Sequence, residues 1–197
     1  MKKNNIDSAP HPDRPPQVAV LFLSSPAWYP YLIMKTSALY LRTIVFGVND
    51  SLVSTVGFLA GISVAGVPRT TIVLTGIVYA LVEAFSMATG DFLSEESAEE
   101  YMNKSSVSER PSVIAAIFMF ISCVLASLIP LIPYMIFASS SALIVSVCLS
   151  ILALFIVGIS SAHFSRLPML WRGMRMALLG GAAIVVGVAI GTFMPAI

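Results

Sequence analysis

Residues 42–61 read RTIVFGVNDSLVSTVGFLAG and residues 70–100 read TTIVLTGIVYALVEAFSMATGDFLSEESAEE. Each holds an apolar run long enough to cross ~30 Å of hydrocarbon as a helix. The first nevertheless carries Asn49 and Asp50, and the second carries Glu83, Met87 and Asp91. A carboxylate near the middle of a membrane helix costs roughly 2.5–3.5 kcal/mol on insertion scales, so such residues face a partner or a polar pathway rather than lipid. Acids on two neighbouring helices, with a thioether one turn from one of them, point to a cation site inside a membrane.

The composition agrees with a membrane setting. Of 197 residues, 57% are hydrophobic and 11% charged, with mean hydropathy +0.91, whereas a soluble domain carries about 25% charged residues. The net charge of +1 gives no reason to expect nucleic acid. Cys123 and Cys148 lie inside apolar segments and read as small buried residues, without a disulfide or zinc framework. No Ser/His/Asp set or phosphate loop appears, so an enzyme is not expected, and no prosthetic group is implied.

Outward from the two acidic stretches, five spans are expected at roughly 42–66, 70–92, 112–130, 134–160 and 173–195. Gly66-Val67-Pro68-Arg69 reads as a tight turn between the first two, and Pro130–Pro133 as a turn between the third and fourth. Residues 1–17, polar and proline-rich, read as a disordered cytosolic tail. Residues 18–41 read as an interfacial N-terminal segment, because Trp28, Tyr29 and Tyr31 favour the headgroup layer. A broken sixth span is the alternative there. Residues 42–197 then form the five-helix domain, with the second helix extending into the cytosol to about 103. The expected fold is an all-α membrane protein with five transmembrane helices per protomer.

Of the 11 Lys and Arg residues, all but Arg69 fall on one side when the N-terminus is cytosolic, which is the positive-inside pattern. At ~1.5 Å per residue, Asp50 lies about 10 Å from the cytosolic edge, Glu83 about 12 Å and Met87 about 6 Å. Glu83, Met87, Asp91, Glu95 and Glu99 follow one another at intervals of four, along one winding helical stripe. Asp91, Glu95, Glu96, Glu99 and Glu100 form the expected cytosolic entrance, where an acidic mouth concentrates cations. Within the membrane, Asp50, Glu83, Met87 and the Asn49 carbonyl are the candidate metal ligands. Oxygen donors beside a thioether favour Fe²⁺, Mn²⁺ or a later transition metal over calcium or magnesium.

One chain offers too few ligands for an octahedral ion, and a homodimer would double them. Gly57-x-x-x-Gly61 reads as the seam of that dimer. Metal binds as carboxylate protons leave, which suggests metal/proton exchange. Blander readings stand beside these: Asp50 as a cap on an interrupted helix, Met87 as packing, and Glu95–Glu100 as a solvated helix end. A passive divalent cation channel and a non-transporting membrane scaffold are the competing functions.

The strings LRTIVFGVNDSLVSTVGFLAG and AFSMATGDFLSEESAEE resemble the paired first and second helices of the vacuolar iron transporter family. PSVIAAIFMFISCVLASLIPLIPY and RGMRMALLGGAAIVVGVAIG are similar to its third and fifth helices. The resemblance implies a five-helix protomer in a homodimer that moves Fe²⁺, often also Mn²⁺, out of the cytosol in exchange for protons. Asp50 and Met87 match the family's intramembrane ligands, Glu83 falls in the same pathway, and Asp91 stands where Glu is more frequent. Well-known members insert a glutamate-rich cytosolic domain between the second and third helices. Here only Tyr101–Pro111 separates them, leaving Glu95, Glu96, Glu99, Glu100 and Glu109 as a reduced collecting site. The implied partners are divalent metal ions, protons, lipid and a second copy of the chain. The host membrane is expected to be a prokaryotic plasma membrane, with a vacuolar or other organelle membrane as the eukaryotic alternative.

Overall fold

The computed structural model describes residues 28–103, 110–165 and 169–194. The tail expected over 1–17 and the first part of the segment expected over 18–41 lie outside the described residues. Five helices follow one another: α1 (Trp28–Val64), α2 (Arg69–Asn103), α3 (Arg110–Ile136), α4 (Ser139–Ser165) and α5 (Met169–Phe193). All five are long and apolar enough to cross a membrane, the stretch of α1 that qualifies being Leu39–Val64. No strand occurs among the described residues. Hydrocarbon offers backbone N–H and C=O groups no partners, so a spanning segment satisfies them within its own helix.

The α1–α2 link is closed by local chemistry. Gly66 takes a left-handed φ of 83°, which glycine adopts without a Cβ clash. Its N–H reaches the Ser63 carbonyl (3.3 Å), while the Val67 N–H reaches that of Ile62 (3.3 Å). This is the crossed pair of a Schellman cap. Ile62 and Val67 both pack on the cluster of Leu59, Ile72, Leu131, Tyr134 and Ala142, supplying the cap's hydrophobic contact. The Pro68 carbonyl then accepts from the Ile72 N–H (3.0 Å), starting α2.

The third link differs from the turn read at Pro130–Pro133. Helix α3 continues through both prolines to Ile136, and the chain reverses after Phe137. Pro130 and Pro133 remove the helical donors to the Ala126 and Ile129 carbonyls, and the end of α3 gains other bonds from outside the helix. Here Ser146 of α4 donates to the Pro130 carbonyl (2.7 Å). Arg69 donates through Nε to the Tyr134 carbonyl (2.7 Å) and through its terminal nitrogen to that of Met135. The last carbonyls of α3 are therefore capped by a cation, a favourable charge at a helix C-terminus.

A second correction concerns Gly57 and Gly61. They face α5 of the same protomer, not a partner's copy of α1. A Cβ on Gly187 would lie 2.0 Å from the Gly57 carbonyl oxygen, and one on Gly191 would lie 2.0 Å from that of Gly61. Two backbones thus meet in direct contact, as small residues allow in membranes. The spacing announces a close helix approach without naming the partner helix. Gly191→Val should cost about 1–3 kcal/mol by overpacking, whereas Gly181→Ala, into open space, should stay within about 1 kcal/mol of wild type. Thermal unfolding of the two variants in detergent measures the difference.

Candidate functional site

Helices α1 and α2 run antiparallel, and their contacts fix one register. Arg42 pairs with Glu95 (3.9 Å), the Thr43 hydroxyl donates to Asp91 Oδ2 (3.2 Å), and Ser54 bonds Glu83. Phe58 stacks on Tyr79 with ring centroids 4.5 Å apart. Moving up one helix means moving down the other, and the same register brings Asp50 level with Met87.

Glu83 is directed at α1. Its Oε1 accepts from the Ser54 hydroxyl and from Tyr79 Oη (3.3 Å), the latter one turn back on α2. Ser54 Oγ also lies 2.8 Å from the Asp50 carbonyl, so a single hydroxyl joins the two acidic turns. Glu83 Oε2 is buried without a hydrogen-bond partner, as is Asn49 Oδ1. A buried acceptor left unpaired costs about 1–3 kcal/mol, so each of these oxygens favours accepting from a donor or binding a cation.

Met87, one turn along α2 from Glu83, packs on the buried cluster of Ala84, Met119 and Cys123. Its Sδ is 3.9 Å from Cys123 Sγ. Further along α2, Asp91 is held by Thr43 and Glu95 by Arg42. Glu96 and Glu99 are partly buried and Glu100 is exposed. Arg42–Glu95 is the one ion pair among the described residues, and its arginine is 68% exposed, so it contributes little stability. Its effect is to neutralise one acid of the expected entrance.

Among the described residues, no three His, Cys, Asp or Glu side chains converge into a ready-made metal cage. Glu83 and Met87 instead line an open groove of about 660 Å³ along one face of α2, walled by α2 residues such as Val78 and Val82 and bordered on α1 by Phe58. The hydroxyls that hold the acids, Ser54, Tyr79 and Thr43, escaped the sequence reading. Ser54 lies four residues after Asp50 and Tyr79 four before Glu83, which is the signal that could have found two of them.

A family model described as the VIT family matches residues 41–114 and 104–192. Together the matched segments take in all of the site. No curated relative matches the chain.

Removing the hydroxyl that bridges the two helices should be measurable. Ser54→Ala leaves Glu83 Oε1 with Tyr79 alone and is expected to cost about 0.6–1.7 kcal/mol, the range for interhelical hydrogen bonds in membranes. Thr75→Ala, whose hydroxyl bonds only carbonyls of its own helix, should leave the unfolding temperature in detergent nearly unchanged.

Proposed function

The chain belongs to the VIT family, the vacuolar iron transporters, and is a membrane transporter of metal ions; from that premise we propose that it exchanges a divalent transition metal, Fe²⁺ or Mn²⁺, for protons. Transport runs out of the cytosol, with the N-terminus on the cytosolic side. One observation supports this reading: Glu83 Oε2 is buried without a hydrogen-bond partner, one helical turn from Met87 on α2 and joined through Ser54 to the turn of Asp50. Packing alone supplies no reason to keep acceptors there unpaired.

Cations approach past Glu99, Glu96 and Asp91, whose charges raise their local concentration. At the buried layer the carboxylates of Asp50 and Glu83 and the Asn49 carbonyl supply hard donors, and Met87 supplies a soft one. This mixture suits Fe²⁺ and Mn²⁺ better than Ca²⁺ or Mg²⁺. Ser54 and Tyr79 orient Glu83 Oε1, so that Oε2 is the oxygen left for the ion. Binding requires the carboxylates to release protons, and their return after the ion departs resets the site. Exchange follows if the protonated and metal-bound forms open to opposite sides.

A homodimer completes the arrangement. The groove containing Glu83 and Met87 opens along one face of α2, where lipid would meet a carboxylate at a cost of a few kcal/mol. A second copy of α2 against this opening would exclude lipid and double the donors. Leu74, Val78, Val82 and Phe85 give that face an apolar surface to bury. The host membrane is a plasma membrane in a prokaryotic setting.

Proteoliposomes test the proposal directly. An imposed pH step should accelerate Mn²⁺ uptake, and Asp50→Asn should reduce that uptake by about 10-fold or more, at least the loss typical of a disturbed metal site. Uptake indifferent to the pH step would indicate a passive channel. Unchanged uptake by Asp50→Asn would remove Asp50 from the pathway.

A further inference from the structure

Three sulfurs gather on the α3 side of the same layer. Cys123 is fully buried, and its Sγ lies 3.9 Å from Met87 Sδ and 3.6 Å from the Gly47 carbonyl. Met119 joins them over Gly47: a Cβ there would be 2.8 Å from Met119 Sδ and 3.1 Å from Cys123 Sγ. The absence of a side chain at residue 47 is thus what admits both sulfurs to α1. Three soft donors, from α2 and α3, thus meet against the backbone of α1.

We propose that Met87, Met119 and Cys123 form a soft-donor pocket on the transport route, in which Cys123 is a further metal ligand that admits thiophilic divalent ions such as Cd²⁺ and Zn²⁺. This rests on the reading of Met87 as a ligand. Two sulfurs bound at ~2.3 Å to one tetrahedral ion stand about 3.8 Å apart, so the Met87–Cys123 pair is already spaced to share an ion. Thiolate and thioether select soft metals, while the carboxylates across the layer select harder ones. The thiol proton leaves as the sulfur–metal bond forms, and no electrons are transferred. Met87 belongs to both halves, so one route would serve two classes of cargo.

The test uses full-length protein carrying Cys148→Ser, which removes the other cysteine, an exposed one on α4. Titration with Cd²⁺ in detergent should produce the ultraviolet sulfur-to-cadmium charge-transfer band, and Cys123→Ser in the same background should abolish it. In proteoliposomes the ratio of Cd²⁺ to Mn²⁺ uptake should fall by about 10-fold or more with Cys123→Ser, and likewise with Cys123→Ala. A band that survives Cys123→Ser, or an unchanged uptake ratio in folded variants, would make the cluster packing only and overturn the proposal. A Cys123-dependent band in protein that moves no Mn²⁺ would uphold the thiol ligand and sink the transport reading, so the two failures are distinguishable.

Discussion

A carboxylate inside a membrane has to be given partners, and the Glu83–Ser54 hydrogen bond is where this molecule meets that requirement. It ties α2 to α1 at the turn that carries Asp50, and it holds Oε1 so that Oε2 is left free. Around it the α1–α2 register falls into place, from the stacked Phe58 and Tyr79 to the Thr43–Asp91 bond. The Schellman cap at Gly66 aligns the two helices closely enough for these contacts to form. Against α1 from the other side lie α3, with its sulfurs, and α5, with its glycines. The Leu39–Val64 stretch of α1 therefore sits at the centre of the packing, as its fully buried Leu52, Thr55 and Leu59 show.

Much of the architecture is legible in the sequence because the bilayer leaves few alternatives. Five apolar runs of spanning length become five helices, and Gly66-Val67-Pro68 becomes the turn it resembles. Pro130 and Pro133 mislead for a physical reason. In a chain read locally they end a helix, but Ser146 and Arg69, distant in sequence, serve carbonyls at that end of α3. Gly57 and Gly61 mislead differently. Their spacing signals backbone contact, and the choice between α5 and a second copy depends on three-dimensional packing that no local pattern encodes.

The candidate site shows the same division. Asp50 and Glu83 stand out because acids are costly inside apolar spanning helices, and Met87 through its place one turn from Glu83. Ser54 and Tyr79 do not, since hydroxyls are tolerated throughout membrane helices and back-bond to their own carbonyls, as Thr75 and Thr89 do. Cys123 lies 36 residues from Met87 in sequence and reads as filler until α3 is placed. The candidate hard and soft donors are thereby distributed over different helices, oxygen on α1 and α2 and sulfur on α2 and α3. Met87 occupies the junction.

The most direct measurement is anomalous diffraction from crystals of the full chain soaked in Mn²⁺. The expected result is a manganese peak inside the membrane layer within bonding distance of Glu83 Oε2, Asp50 and Met87, lost on soaking Glu83→Gln crystals. A peak confined to the acidic end of α2, with the buried layer containing no metal at saturating Mn²⁺, would contradict the claim that these residues form the ion's binding site.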